Sequence, residues 1–258
     1  MDKNIRRHLY QYAMKSQIQK SKGRGARPAM KLKFMKQLIL WSFVGLLLLS
    51  CNGNKTISEE EKPQIVAALN EIMELDQKYA GIPSNELREK YGNQKAWEIF
   101  KKQRDSIGLL NQNRIKKLYG KYGYLGEQKV GEEAATDFWV VIQHADNDIP
   151  FQQEMLKAME MEIAKGSKDK YHYAMLEDRI NVNLNKPQRF GSQVTYNDLG
   201  QAIPKNGLVD STAVDSLRKA HSMPDFIEYY NQMTEMHFEM NKQLFLDKGI
   251  TEPQLYGN

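Results

Sequence analysis

The chain has 258 residues and a formal net charge of +5, from 37 Lys or Arg against 32 Asp or Glu, with a single cysteine, Cys51. Eleven of the basic residues and one acid fall in residues 1–50, and the remaining 26 basic and 31 acidic residues give the rest a charge of −5, so no nucleic-acid partner is expected. One cysteine excludes an internal disulfide and any cysteine metal cluster, while about 200 residues suffice for one hydrophobic core without staples.

Residues 1–50 read as a signal peptide. Lys31, Lys33 and Lys36 precede an apolar run over 38–49, and Ser50 follows. A basic stretch, a short apolar core and a small residue before the cut is the layout of a secretory signal. A run of twelve residues falls short of the ~20 that span a bilayer as a helix. The string Leu48-Leu49-Ser50-Cys51 resembles the lipobox of bacterial lipoproteins. That resemblance implies cleavage before Cys51, lipidation of Cys51 and anchoring to the membrane through the lipid, and it leaves the chain no free thiol. Several acyl chains hold firmly where one holds weakly. The expected location is the cell envelope, at the outer membrane of a Gram-negative bacterium. The basic prefix is too long for a signal's basic region, so translation is expected to start at Met30 or Met35, with residues 1–29 a mistaken extension.

Residues 51–62 are polar, with Glu59-Glu60-Glu61 near the end, and read as a tether and helix start. From there to residue 258 a single helical domain is expected. Ile65, Leu69, Ile72 and Met73 repeat at helical spacing over 63–79, with Pro63 in the first turn. Gly81-Ile82-Pro83 stops that helix, and Ser84 or Asn85 caps a short next turn. A long helix follows over 94–119, and Gly120, Gly123 and Gly126 open a loop. Residues 132–146 form a clearer helix, with Phe138, Val141, Ile142 and Ala145 on one face. Asp148 and Asp169 cap the next two helices, the first closed by Gly166 and the second running over 170–184. Near residues 188–204 the period changes to that of a small β-hairpin. Asp210 or Ser211 caps a short helix to Ala220, and the last helix runs over 223–247. The fold class is mainly α.

Four groups of residues bear on chemistry. Gln143-His144-Ala145-Asp146 places His144 off the apolar centre of its helix. There it is either a surface histidine near a helix end or a general base in a cleft, poised by Asp146 or another acid. Asp178 falls among apolar positions and needs a partner, with His144, Arg104 and Arg114 as the cations in question. Its neighbour Arg179 points about 100° away. Gln188 and Gln193 flank Arg189-Phe190-Gly191-Ser192 and offer amide groups suited to a sugar, peptide or amide ligand, or else to building the hairpin. Met233, Met236, His237 and Met240 share one face of the last helix. Thioether and imidazole groups suit Cu(I), but the face continues through Phe226, Tyr229, Tyr230 and Leu244, so core packing is the expectation. No zinc, nucleophile-elbow, phosphate-loop or dinucleotide motif is present, and no metal or cofactor is expected.

Taken together, Gln143-His144-Ala145-Asp146, Phe151-Gln152, Asp178-Arg179 and Gln188-x-Phe190-Gly191-Ser192-Gln193 resemble a bacterial lipoprotein family whose domain has no assigned function. The family pattern reads Gln-His-Ala-Asp, Asp-Arg and Gln-x-Tyr-Gly-Thr-Gln. Asp76-Gln77 matches its start, and Pro204, Asp210, Asp215 and Arg218 match its tail, so the similarity covers residues 76–230. Phe190 and Ser192 stand where the pattern has Tyr and Thr. The resemblance implies a shared polar site holding His144, Asp178, Arg179, Gln188 and Gln193.

Three readings follow. In the first, a lipid-anchored envelope protein binds a small molecule, glycan or protein through that site, with Gln143, Asp146, Gln188 and Gln193 as binding residues. In the second, the site is an envelope hydrolase, with His144 as general base, Asp178 or Asp146 orienting it and Arg179 steadying an anion. In the third, the signature residues only hold a scaffold together.

Overall fold

The computed structural model describes residues 56–257. The expected signal peptide, Cys51 and the first part of the tether lie outside the described residues. Within them are ten helices and one two-stranded sheet: α1 (Lys62–Lys78), α2 (Asn85–Tyr91), α3 (Asn93–Tyr122), α4 (Glu127–Val130), α5 (Glu132–His144), α6 (Ile149–Ala164), α7 (Lys170–Asn183), β1 (Val194–Tyr196), β2 (Ala202–Pro204), α8 (Val214–Ala220), α9 (Phe226–Met240) and α10 (Lys242–Asp247). The expected mainly α domain with a small hairpin is what the chain forms. Among the described residues no helix is long and apolar enough to cross a membrane.

The helices begin where local chemistry directs. Pro63 sits in the first turn of α1. Ser84 caps α2, its hydroxyl accepting from the Leu87 N–H at 3.2 Å. Asp148 caps α6 through the Phe151 N–H at 3.1 Å. Several boundaries differ from the sequence expectation: Asp169 stands at the start of α7 without a side-chain cap bond, α8 begins at Val214, past Asp210 and Ser211, and α9 begins at Phe226 and not at 223. α3 runs on through Gly120 and closes at Gly123, whose N–H reaches the Tyr119 carbonyl at 2.8 Å. The short α4 forms inside the expected loop. The last helix breaks in two at Asn241, whose side chain donates to the His237 carbonyl at 2.9 Å while its own carbonyl accepts from the Phe245 N–H.

α5 is the central rod. Residues 137–143 are all buried, so the helix is enclosed on every side and not on the one face its pattern suggested. α1, α3, α4, α6 and α7 all pack on it. A helix wrapped in this way must also bury its polar positions, Asp137 and Gln143. The main core takes Leu69 and Ile72 from α1, Ile115 from α3, Phe138 and Ile142 from α5, Met155 from α6 and Leu176 from α7.

A smaller second core joins the hairpin to α9 through Ala202, Tyr229, Tyr230 and Met233. β1 and β2 pair antiparallel with Thr195 opposite Ile203. Met233 is core as expected, and Met236 packs at the margin. His237 stacks on Tyr196 with ring centres 3.8 Å apart, and burial pulls its pKa down. Met240 departs from the core expectation: it lies beyond the contact surface, half exposed.

Candidate functional site

Most residues singled out by sequence fall into two polar regions, and His144 makes a further contact of its own. The first is the loop from Gln188 to Gln193. Asp178 is fully buried, as expected, but its partner is not a cation. One carboxylate oxygen accepts from the backbone N–H of Arg189 at 2.8 Å and of Phe190 at 3.2 Å, and the other accepts from Ser192 at 2.8 Å. The proposed cations are elsewhere: Arg114 pairs with Glu71 and Arg104 lies beside Asp105. A carboxylate satisfied by backbone donors needs no ion pair. Burial still pushes the Asp178 carboxyl up, against the downward pull of the Ser192, Phe190 and Arg189 N–H groups.

The other polar groups of the loop are held from every side. Gln188 donates to the carbonyls of Gln193 and Lys205, both at 2.7 Å, and accepts from the Gln193 N–H at 2.7 Å. Arg218 is wholly buried and donates to the carbonyls of Phe190 and Pro224, both at 2.7 Å. The hydroxyls of Tyr229 and Tyr230 donate to the carbonyls of Ser192 and Gly191. Gly191 has φ +63°, and a Cβ there would stand 2.7 Å from the Phe226 ring, so only glycine fits. Gln193 turns its amide to Ser192 Oγ at 3.2 Å. Asp178, Gln188 and Gln193 thus spend their described hydrogen bonds on the loop itself. Phe190 itself is buried in the main core.

The second region is the turn between α5 and α6. Arg179 grips Asp146 with two parallel bonds, Nε to Oδ1 at 2.6 Å and Nη2 to Oδ2 at 2.7 Å. This is the bidentate geometry that suits guanidinium and carboxylate. Asn183 adds a third bond to Asp146 at 2.7 Å. Gln152 donates to the carbonyls of Ile142 and Gln143, both at 3.1 Å, at the end of α5; the Ile142 carbonyl also accepts from the Ala145 N–H. It also approaches Asp146 Oδ1 at 3.5 Å. Gln143, which the helical wheel set off the apolar centre, is fully buried.

His144 belongs to a third contact. Its Nδ1 lies 3.0 Å from Asp76 Oδ1, and both side chains are about one-tenth exposed. The acid that meets this ring nitrogen is Asp76 on α1. No hydrogen bond described here joins His144, Asp178, Arg179, Gln188 and Gln193 into one cluster. Sequence reasoning missed the roles of Asp76, Gln152 and Arg218. Gln152 carried a signal, because it shares a stripe with Met155, Leu156 and Met159, where an amide is out of place.

Residues 71–241 match the model of a family of unknown function, DUF6624. The chain belongs to this family. No curated protein and no solved structure gives a match. Both polar regions lie inside the matched DUF6624 span. Among the described residues no group of three or more His, Cys, Asp or Glu side chains is placed to hold a metal ion.

Between the two regions there is a difference in satisfaction. At the turn, Gln143 Nε2 and Oε1, Gln152 Oε1 and Arg179 Nη1 are buried and meet no described protein group. In the loop region, among the described residues, Arg218 Nη2 is in that state, and its guanidinium carbon lies 5.9 Å from the Phe226 ring centre and 4.8 Å from that of Tyr229.

Proposed function

We propose that this chain is a lipid-anchored protein of the bacterial cell envelope whose helical domain binds a small polar ligand at the α5–α6 turn. The lipobox-like string before Cys51 supports the anchor, and the basic and apolar stretches before it support the signal peptide. The outer membrane is the expected site. Mass spectrometry of the membrane fraction should find a lipid-modified Cys51 as the first residue, absent from Cys51→Ala. An intact leader on the membrane-bound protein would end this part of the proposal.

The observation that carries the binding reading is the set of buried atoms of Gln143, Gln152 and Arg179 that no described group meets. Each such atom costs about 1–3 kcal/mol, and native proteins satisfy roughly 90% of their buried polar groups. Several gathered at one turn point to a ligand that completes them. Asp146 forms the partly open edge, its side chain one-third exposed. The test follows the side-chain amide signals of Gln143 and Gln152 by NMR while the full-length chain is titrated with glycerol, acetate or acetamide. At least one probe should move them saturably in wild type and not in Gln143→Met. If none does, the polar residues hold a scaffold together and bind nothing.

A second reading rests on the Asp76–His144 contact. An acid on Nδ1 orients an imidazole so that Nε2 serves as a general base. Turnover of p-nitrophenyl acetate, lost in both His144→Gln and Asp76→Asn, would support a hydrolase. Equal turnover by wild type and His144→Gln would remove it.

A further inference from the structure

We infer that the α5–α6 turn recognises a neutral carboxamide group, a carbonyl oxygen beside an N–H, as carried by acetamido sugars and by peptides. This rests on the binding reading above and names its ligand class. The charge at the turn comes first. Arg179 is bidentate to Asp146 at 2.6 and 2.7 Å, so its positive charge is already answered within the protein. An anionic ligand would find no unmatched cation there and would meet the Asp146 carboxylate as it entered.

The remaining hydrogen-bond capacity comes second. Gln152 turns its Nε2 toward two backbone carbonyls, which fixes the orientation of that amide and leaves Oε1 as an acceptor. Gln143 keeps one NH2 and one oxygen without a described partner, whichever way its amide is turned. Arg179 keeps Nη1 as a donor. The set is two donor groups and two acceptor oxygens, all on planar amide or guanidinium groups. A hydroxyl has one proton and serves one acceptor. A carboxylate has no proton and serves none. A carboxamide has N–H groups for the acceptors and a carbonyl with two lone pairs for the donors.

The geometry comes third. Gln152 and Arg179 approach the same oxygen, Asp146 Oδ1, at 3.5 and 2.6 Å. Trp139 Nε1 donates to the His172 carbonyl at 3.2 Å, near the start of α7, and Asp146 meets Arg179 and Asn183 near its end. α5 and α7 therefore run side by side in the same direction. Gln143 follows Trp139 by four residues, on the same side of α5, so it sits between those two contacts and next to α7. Exposure falls from one-third at Asp146 to 5% at Arg179 and none at Gln143. A small planar group entering past Asp146 would meet Arg179 before the fully buried Gln143 and Gln152.

The experiment compares affinities from the same amide signals in the full-length chain. Acetamide should bind in the millimolar range, with acetate and glycerol weaker by about tenfold or more, because a site built for hydrogen bonds rejects analogues that leave them unmade. Gln143→Met is the control of choice, because the Gln143 side chain supports no described backbone group. It should abolish the acetamide shifts and leave the backbone spectrum folded. N-acetylglucosamine and N-acetylalanine amide then distinguish a glycan from a peptide source, and the tighter binder identifies it. Acetate or glycerol binding as tightly as acetamide would overturn the carboxamide assignment while sparing the binding reading. Saturable binding by none of the probes would overturn both.

Discussion

The loop at 188–193 and the turn between α5 and α6 are built from the same side-chain types, yet they end in opposite states. In the loop, Asp178, Gln188, Arg218, Tyr229 and Tyr230 meet the backbone groups of a segment with little regular structure. Such a segment cannot satisfy itself by ladder bonds, so side chains do the work that a sheet would do. At the turn the backbone is already served by Gln152 and by the Asp148 cap. The Gln143 amide and the far nitrogen of Arg179 meet no described protein group. The comparison teaches that burial of a polar residue does not by itself distinguish construction from recognition. The distinguishing question is whether its hydrogen bonds go to the chain.

Substitutions can break that comparison at either end. The largest effect belongs to Asp178→Ala, which orphans the N–H groups of Arg189, Phe190 and Ser192 inside the protein. A loss of about 4 kcal/mol is expected, or a fall of roughly 10 °C in the melting temperature. Thermal melting checks it, and a change below about 1 kcal/mol would show that the loop finds other partners. Arg218→Met should follow at about 3 kcal/mol, because it frees the carbonyls of Phe190 and Pro224. Urea unfolding midpoints would measure it without the complication of heat.

The smallest effect lies at the tether, where Glu61 bonds Lys121, Tyr122 and Ser58 on the surface. Those bonds pull its pKa from 4.5 to about 2. A depressed carboxyl contributes stability above its unfolded value and loses it as pH falls through the folded one. The wild-type advantage over Glu61→Gln should therefore shrink between about pH 4.5 and about pH 2. It sets the scale of an exposed polar network against the two buried ones.

Much of the helical framework was legible in the sequence, because caps and apolar spacing are local. Ser84, Asp148 and Pro63 act where they were read. The burial of Asp178 was legible too, from its place among apolar positions. Its partners were not, since backbone N–H groups carry no mark in a sequence and the loop lies 11 to 14 residues further on. Arg218 reaches back 28 residues to the Phe190 carbonyl, a distance that periodicity cannot span. Gln143 was misplaced for a different reason. A helical wheel assumes one wet side, and α5 has none over residues 137–143. The grouping of His144 with Asp178 and Gln188 came from shared sequence motifs, which report co-occurrence in a chain and not contact in space.

The most direct test is a pair of melting curves, Gln188→Met beside Gln143→Met, in the full-length chain without ligand. Both replace a fully buried glutamine by an apolar residue of similar size. Gln188→Met strips partners from the Gln193 and Lys205 carbonyls and the Gln193 N–H, and should cost about 3 kcal/mol. Gln143→Met strips nothing from the chain and removes two unmet polar atoms, so it should stabilise by about 1 kcal/mol. Opposite signs are the predicted result. Comparable destabilisation by both would mean that Gln143 is as structural as Gln188, and would contradict the account.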